Sequence, residues 1–364
     1  MKTLIGTEYL GGFFLLRPGN ARGLRVAKEQ FDELWQSALV PRWLSESARE
    51  AWGLDITGQP MNAAVLLRPL SPYGYGRASY ELNLGCNYDC EHCYLGLKRF
   101  EGLDWPDRQR LLDMMRDAGV VWLQLTGGEP LVDRFFAQVY AYAYDLGMQL
   151  TISSNGSRLW RDDVLELLTS RPVYKLTVSV YGATAEGYDA VTRRPGSFHK
   201  FAKGLSAAVA ARLPMNLNLV VTKSNAHELD AMKALADGYG LTYHVYSNIS
   251  PTIYGGPEVL RSQDPAYLRR RTPFTGCNAG HTFFHVDPFG RASICKVGRD
   301  PSVPLLEEGV EGLRRLGGIA DRLLGRQGGC TGCTLQGTCG TCMPLVQLYR
   351  TAKADLRTYC QHGT

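Results

Sequence analysis

From about residue 78 to about residue 250, apolar stretches of strand length alternate with segments of helical length and spacing. Such alternation predicts parallel strands joined by helices, with ligand-binding loops at the carboxyl ends of the strands. Six units instead of eight predict an α/β fold built on a partial (β/α)6 barrel that is open on one side. The strand candidates are 79–85, 120–126, 148–154, 174–180, 215–221 and 242–247, and the helical segments are 105–118, 132–146, 160–170, 200–212 and 227–239.

The chain differs in pattern on either side of this region. Residues 1–77 contain no cysteine and combine short strand candidates with two short amphipathic helices, which predicts a small α+β module. Beyond residue 250 a β-hairpin turning at residues 287–290 precedes a helical stretch and a loop-rich, cysteine-dense tail. Such a tail could not build its own core and would need metal. The sequence therefore predicts three units, at 1–77, 78–250 and 251–364.

The composition of the 364-residue chain is that of a globular protein, with 45% hydrophobic and 21% charged residues and a net charge of +5. The sequence has no stripe of basic residues, so we expect no nucleic-acid partner. No apolar run approaches the roughly 18 residues that a membrane span requires. The first 16 residues carry Glu8 and glycines in place of an uninterrupted apolar segment, so we expect no signal peptide, no membrane partner and a cytoplasmic location.

The ten cysteines fall into two zones separated by a stretch without cysteine. In a long chain without a signal peptide, clustered cysteines indicate metal ligands in preference to disulfides. The first zone consists of Cys86, Cys90 and Cys93, and the second of Cys277, Cys295, Cys330, Cys333, Cys339, Cys342 and Cys360.

The first zone has the spacing C-x3-C-x2-C and directly follows the first strand candidate. This arrangement resembles the signature of the radical S-adenosylmethionine (SAM) superfamily, in which His92 would occupy a position that is usually aromatic. The resemblance implies that Cys86, Cys90 and Cys93 are catalytic ligands of a [4Fe–4S] cluster whose fourth iron binds SAM. Reductive cleavage of SAM would then give methionine and a 5′-deoxyadenosyl radical. A zinc ion completed by a remote ligand is the alternative for this motif alone.

Motifs at the ends of the next three strands resemble the same family. The sequence GGEP after the second strand resembles the motif that meets the methionyl amino group of SAM, and TRRPGSF at 192–198 resembles a segment whose arginine pairs with the SAM carboxylate. Simpler interpretations are a plain strand-to-helix turn for GGEP, a helix-capping role for Ser179 and a surface position for Arg194. The SAM-binding residues implied by the resemblance are Gly127, Gly128, Glu129, Pro130, Ser154, Asn155, Ser179 and Arg194.

The second cysteine zone resembles the SPASM extension of radical SAM enzymes, which holds two auxiliary [4Fe–4S] clusters. The resemblance assigns one complete cluster to Cys330, Cys333, Cys339 and Cys360. It assigns the other to Cys277, Cys295 and Cys342, although the spacing before Cys342 is one residue shorter than in the family. Its fourth position stays open to substrate or to His281, His285 or Asp287. A zinc ribbon is the alternative for the tail.

Three ligands in the first zone and seven in the second account for all ten cysteines. Epimerases of this group usually need a free cysteine to return a hydrogen atom, so we expect net oxidation of the substrate. Residues 1–77 faintly resemble a PqqD-like module that binds a leader peptide as an added strand, with a structural cap as the alternative. We therefore expect a radical SAM/SPASM oxidoreductase of ribosomal peptide maturation, with three [4Fe–4S] clusters, SAM, a precursor peptide and a donor such as flavodoxin or ferredoxin.

Other functions stay open at this point. A radical SAM dehydrogenase or epimerase could act on a small molecule such as a sugar or an aminoglycoside. A molybdopterin-precursor cyclase is disfavoured because the chain ends in QHGT and not in Gly-Gly. A non-catalytic iron–sulfur or zinc scaffold that binds a peptide would carry the same cysteines.

Overall fold

The computed structural model describes residues 3–325, 333 and 339–360 of the chain. Its strands form two sheets, one of four strands and one of nine. No helix within these ranges is long and apolar enough to cross a membrane.

The four-stranded sheet belongs to the N-terminal segment and packs its own apolar cluster around Leu4, Phe31 and Leu44. Its strands are ordered β3-β2-β1-β4, and β1 is parallel to β4. The strands expected at 12–18 and 23–26 and the two helices are present, whereas the strand expected at 63–69 is shortened to 65–67. Neither the strand Leu4–Tyr9 nor the short helix Met61–Ala64 was predicted. The elements are β1 (Leu4–Tyr9), β2 (Gly12–Leu16), β3 (Gly23–Val26), α1 (Lys28–Gln36), α2 (Arg42–Trp52), α3 (Met61–Ala64) and β4 (Val65–Leu67).

The nine-stranded sheet contains six consecutive parallel strands, each followed along the chain by helical structure or a loop, as the sequence predicts. The α/β fold class with a partial barrel is therefore confirmed. The strands are β5 (Arg77–Glu81), β6 (Trp122–Thr126), β7 (Gln149–Ser154), β8 (Lys175–Val180), β9 (Met215–Val220) and β10 (Tyr243–Tyr246). The helices are α4 (Trp105–Asp117), α5 (Phe136–Asp145), α6 (Asp162–Ser170), α7 (Ala185–Thr192), α8 (Ser197–Ala210) and α9 (Leu229–Gly238).

The two faces of these parallel strands differ in polarity, because successive side chains of a strand point in opposite directions. One set is apolar and buried in the main core, as for Leu125 and Ile152. The other set is polar and hydrogen-bonded between strands, as where Gln124 donates to Ser153 at 2.7 Å and Thr177 donates to Asn216 at 3.0 Å. The barrel interior is therefore polar, which suits the binding of a polar ligand at its mouth.

The C-terminal segment extends the same sheet. The hairpin predicted at residues 287–290 is present, and its first strand pairs in parallel with β5 on the side opposite β6. The predicted helical stretch near 306–325 is divided by a 3-10 helix at Val310–Arg315. The elements are β11 (Phe283–Val286), β12 (Arg291–Ser293), β13 (Val303–Pro304), α10 (Leu305–Glu308), α11 (Leu316–Leu324), α12 (Met343–Thr351) and α13 (Leu356–Tyr359).

Candidate active site

The first cysteine zone lies in the loop after β5, where its three thiols border a cavity of about 230 Å³. The loops after β6, β7 and β8 form the other walls, so the cavity lies at the carboxyl ends of the strands, where barrel proteins bind ligands. The structure thus brings together most of the residues that the sequence predicts for the site, namely Cys86, Cys90, Cys93, Gly127, Gly128, Ser154, Asn155 and Ser179.

The surroundings of the three thiols fit an iron–sulfur cluster. The backbone N–H of Tyr88 donates to Cys86 Sγ at 3.4 Å, and the side-chain amide of Asn155 donates to the same sulfur at 3.8 Å. Burial, followed by the charges of Cys86 and Cys93, raises the pKa of Cys90, so ionisation of this thiol needs a metal. Thiolates of a four-iron cluster each bind a different iron. In the described part of the chain, no group of three or more His, Cys, Asp or Glu side chains is arranged so that it could hold a single metal ion.

His92 adds a further polar group to the cavity wall. Its imidazole lies 5.3 Å from the ring of Tyr181, and burial lowers the pKa of His92 to about 4, so the ring is neutral near pH 7. Within the described ranges, its buried Nδ1 atom has no hydrogen-bond partner. A buried nitrogen of this kind is a candidate contact for a bound ligand, because leaving it without a partner costs free energy.

The two glycines of the GGEP motif pack against the start of the cysteine loop. Gly127 has a φ of 141°, and a Cβ atom on Gly128 would lie 2.0 Å from the carbonyl oxygen of Gly85. The backbone N–H groups of Gly128 and Glu129 donate to the carbonyls of Asn83 and Gly85, both at 2.9 Å. The sequence predicts close approach of a ligand here, whereas the close approach observed is that of residues 83–85. The motif therefore fixes the backbone that leads into Cys86.

Glu129 turns its carboxylate into the protein. It accepts hydrogen bonds from the Ser154 hydroxyl at 2.8 Å and from the backbone N–H groups of Asn155 and Leu131 at 2.6 and 3.0 Å. Burial raises the pKa of Glu129 to about 7, against the opposing effect of these hydrogen bonds. Glu129 and Pro130 are not among the cavity residues. Glu129 joins the loop after β6 to the loop after β7, so a positioning role describes it better than a ligand contact.

Arg194 lies away from the cavity. Its side chain is exposed, and its Nε donates to the carbonyl oxygen of Asn87 in the cysteine loop at 3.3 Å. Its predicted pairing with the SAM carboxylate stays a prediction.

Three thiols of the second zone lie close enough to influence one another. Burial first, and then the charges of Cys295 and Cys277, raise the pKa of Cys342, which caps the N-terminus of α12. Backbone N–H groups donate to two of the sulfurs, from Ala279 to Cys277 at 3.3 Å and from Gly298 to Cys295 at 3.1 Å. These are the three cysteines that the sequence assigns to one auxiliary cluster.

The three candidates for the fourth ligand of that cluster are engaged elsewhere. Nδ1 of His285 lies 2.8 Å from the Ser79 hydroxyl inside the barrel, and Nε2 of His281 lies 2.9 Å from Asp321. Asp287 accepts the backbone N–H groups of its own turn, from residues 289 and 291. None of these contacts involves a cysteine, so the fourth position stays open.

The other auxiliary set is only partly described. Cys330 lies outside the described residues. The segment 339–342 is tied to the C-terminal residues by a hydrogen bond of 2.8 Å from the Thr341 hydroxyl to the carbonyl of Tyr359. Tyr359 also stacks on Tyr349 with ring centroids 5.3 Å apart. These contacts hold Cys339 and Cys360 in one region of the fold.

Sequence reasoning missed a charged cluster beneath the cavity. Glu81, at the end of β5, is fully buried and accepts two hydrogen bonds from Arg299 at 2.8 and 3.0 Å. Burial favours a high pKa for Glu81, but the neighbouring His285, whose Nε2 lies 3.5 Å from the carboxylate, and Arg299 outweigh burial and lower the pKa to about 2. Burial lowers the pKa of His285, which makes Arg299 the cation of the cluster. The sequence signal that could have revealed this cluster is a glutamate, Glu81, within an otherwise mostly apolar strand.

Lys296 lies three residues before Arg299 and borders the cavity itself. Its Nζ donates to the hydroxyl of Thr126 at 3.3 Å. Thr126 and Glu81 face each other in the register of β6 and β5. The segment after β12 therefore places one cation on each of two adjacent strand ends, Arg299 on β5 and Lys296 on β6.

A second cavity of about 470 Å³ lies on the other side of the cysteine loop and shares Cys90, Cys93 and Lys98 with the first. Both basic and acidic side chains line this second cavity. The cations are Lys98, Arg193, Lys223 and Arg261, and the acids are Asp89, Glu91 and Glu258.

Comparison with known proteins agrees with this geometry. Residues 80–236 match the family model of the radical SAM superfamily. Mycofactocin maturase MftC of Mycobacterium ulcerans is 30% identical over 237 residues, which cover 61% of this chain and 63% of that protein. The AdoMet-dependent heme synthase of Methanosarcina barkeri is 31% identical over 173 residues, covering 46% and 49%. The chain thus spans between about half and somewhat under two thirds of these relatives.

A solved structure shares the overall fold. Streptococcus suis SuiB bound to S-adenosylmethionine aligns with a TM-score of 0.58 at 14% identity, covering 93% of this chain and 94% of that one. Fold and site together define an α/β partial-barrel protein with a thiol-lined cavity at its mouth. Residues 80–236 are thus similar to a radical SAM domain, and that family implies a [4Fe–4S] cluster and SAM.

Proposed function

We propose that the chain is a radical SAM oxidoreductase that modifies a peptide. The observation that carries this proposal is the single cavity that collects the three thiols of the C-x3-C-x2-C loop and the loops after β6, β7 and β8. When bound, a [4Fe–4S] cluster and SAM would supply a 5′-deoxyadenosyl radical that abstracts hydrogen from the substrate. Cys86, Cys90 and Cys93 would hold the cluster, with Gly127, Gly128, Ser154, Asn155 and Ser179 nearest to SAM.

The chain's own residues position these groups. The hydrogen bond from Asn155 to Cys86 Sγ, together with that from the same amide to Asn87 at 3.0 Å, holds the cysteine loop against the loop after β7. Glu129 fixes the latter loop from behind. Tyr88 and Tyr181, both largely buried, form apolar parts of the cavity wall that limit access of water.

The auxiliary cysteines support an oxidative outcome. We assign Cys277, Cys295 and Cys342 to one further [4Fe–4S] cluster and Cys330, Cys333, Cys339 and Cys360 to another. Of the three units of chain, 1–77 would then hold no cluster, 78–250 one and 251–364 two. With all ten cysteines committed, no thiol is left to return a hydrogen atom. The electron released by the substrate radical would leave through an auxiliary cluster, and a flavodoxin or ferredoxin would supply the electron for SAM cleavage.

A peptide substrate is supported by the relatives. Two that match across more than half of this chain are named as maturation proteins, MftC of Mycobacterium ulcerans and the sporulation killing factor maturation protein SkfB of Bacillus subtilis, the latter 25% identical over 204 residues. SuiB also has a structure bound to its precursor peptide SuiA. The larger cavity beside the cysteine loop offers a path for an extended chain. The edge strand β3 of the N-terminal sheet offers a place where a leader peptide could add a strand.

A small-molecule substrate is the second candidate, and the heme synthase relative favours it. That similarity extends over 173 residues, against 237 for MftC, so the peptide proposal rests on the longer match.

The test is anaerobic turnover of the reconstituted protein with SAM, a reductant and candidate precursor peptides. We expect a peptide lighter by two hydrogen atoms for each SAM consumed productively. A product of unchanged mass with an inverted stereocentre would contradict oxidation. SAM cleavage without any change in the peptide, and with modification of a small molecule, would favour the second candidate.

A further inference from the structure

Among the residues that the structure describes, Lys296 has no ion-pair partner at the wall of the cavity that the three thiols border. Two lysines border this cavity, and Lys98 is paired with Asp89 at 2.6 Å. In the described part of the chain, no carboxylate lies within ion-pair distance of Lys296, whose single hydrogen bond goes to the neutral hydroxyl of Thr126. Burying an ammonium group without a counter-charge costs free energy, and a bound anion would offset that cost.

The nearest acid, Glu81, attracts the Lys296 ammonium electrostatically but forms no ion pair with it. Glu81 faces Thr126 across the sheet, but both of its oxygens accept hydrogen bonds from Arg299. Glu129, at the other end of the same loop, directs its carboxylate toward Ser154 and Asn155 and not into the cavity. Glu81 is therefore committed to Arg299 and Glu129 to the loop after β7, which leaves the space around the Lys296 ammonium for a ligand.

The position of Lys296 selects the kind of ligand. Thr126, which holds its ammonium, immediately precedes Gly127 and Gly128, and both glycines border the cavity together with Cys86, Cys90 and Cys93. A ligand that reaches the thiol-bound cluster from this wall brings its polar end next to Lys296. Arg194, for which the sequence predicts this kind of contact, is exposed and does not line the cavity.

We propose that Lys296 binds the methionyl carboxylate of SAM. This inference rests on the proposed function, since it assumes that SAM occupies the cavity. It also means that the SAM site is shared between the barrel and the segment after β12, directly beyond the auxiliary ligand Cys295. Arg299, locked on Glu81, would hold that segment in place so that Lys296 reaches the ligand.

The test compares SAM with decarboxylated SAM, which lacks the carboxylate and keeps the rest of the molecule. Kd values for both are measured by equilibrium dialysis on the oxidised, cluster-reconstituted protein, where no turnover occurs. We expect Lys296→Met to raise the Kd of SAM about 10- to 100-fold, as for loss of a charged hydrogen bond. The Kd of decarboxylated SAM should change by less than about 3-fold. Lys200→Met, on the exposed face of α8, is the matched control and should change neither value.

The outcomes separate this inference from the proposed function. Unchanged Kd values in Lys296→Met, or equal increases for both ligands, would overturn the carboxylate contact while leaving SAM binding intact. Failure of the wild-type protein to bind either ligand would overturn the proposed function and this inference with it. If Lys296→Met does not fold or retain iron, Lys296→Arg decides the matter, because a retained charge should keep most of the preference for SAM. A wild-type protein that binds both ligands equally would also refute the contact.

Discussion

Arg299 donates two hydrogen bonds to the fully buried carboxylate of Glu81, at 2.8 and 3.0 Å, and thereby ties the segment after β12 to the first strand of the barrel. The hydroxyl of Tyr94, one residue beyond Cys93, donates to the same carboxylate at 3.4 Å. One acid thus connects the strand, the cysteine loop and the C-terminal unit. This arrangement couples the geometry of the cavity to correct docking of the auxiliary-cluster region.

Removing one partner of this pair should destabilise the protein more than removing both. Glu81→Met leaves the Arg299 guanidinium without its anion, and we expect a loss of about 3 kcal/mol in the free energy of unfolding. The double variant Glu81→Met, Arg299→Met should recover most of that loss, because well-packed apolar groups replace the ion pair. Anaerobic urea denaturation measures both. A double variant as unstable as the sum of the two single variants would show that the pair is not coupled.

The Gly128 contact should control assembly of the first cluster. A Cβ atom there would meet the carbonyl oxygen of Gly85 at 2.0 Å, so Gly128→Ala must displace the backbone just before Cys86. From a wild-type content of about twelve irons, for three [4Fe–4S] clusters, we expect the variant to lose about four. Gly238→Ala is the control, since a Cβ at that position meets nothing within 4 Å. Full iron content in Gly128→Ala would show that the loop tolerates the shift.

Glu129 should make stability depend on pH between about 4.5 and about 7. Because burial raises its pKa to about 7, the folded protein keeps a proton that the unfolded chain releases near its ordinary pKa of 4.5. The stability associated with this group is therefore complete below pH 4.5 and is lost as the pH rises through 7. The infrared carboxyl band of the folded protein should titrate near pH 7 and be absent in Glu129→Gln. Titration near pH 4.5 would contradict the burial effect.

The larger cavity should contribute to binding of the peptide and not of SAM. Lys223 and Arg261 are exposed at its wall, so the double variant Lys223→Glu, Arg261→Glu reverses two charges without disturbing the core. We expect the Kd of the precursor peptide to rise about 5- to 10-fold at low salt, with a smaller effect at high salt. The Kd of SAM should stay the same, and Lys200→Glu serves as the surface control. An unchanged peptide Kd would place the peptide elsewhere.

The barrel was predictable because its parallel strands carry regularly spaced apolar residues and are separated by helices with clear periodicity. All six predicted strands are present within a few residues of their expected bounds. Strand β1 was missed because Gly6, Thr7 and Glu8 interrupt its apolar pattern. Helix α7 was missed because it is only eight residues long and contains Gly187. In both, tertiary packing decides the structure where the local pattern is weak.

The site was predictable where short motifs carry it and hidden where distant residues meet. The cysteines were singled out by their spacing, and the loops after β6, β7 and β8 by motifs that resemble a known family; the structure places them around one cavity. The pairing of Glu81 with Arg299 joins residues 218 positions apart, and the approach of Lys296 to Thr126 spans 170. Such contacts depend on the addition of β11 to the edge of the sheet, which no local pattern indicates. The hydrogen bonds of Glu129 to Ser154 and Asn155 were not predicted, because a motif does not reveal which way a side chain points.

The most direct test of the account is formation of 5′-deoxyadenosine from SAM by the anaerobically reconstituted and reduced protein. We predict that the wild-type chain releases 5′-deoxyadenosine and that the triple variant Cys86→Ala, Cys90→Ala, Cys93→Ala releases none. A triple variant of the second zone, Cys277→Ala, Cys295→Ala, Cys342→Ala, should retain SAM cleavage while losing peptide modification. A wild-type protein that binds zinc in place of iron, or that forms no 5′-deoxyadenosine, would contradict the assignment of this cavity.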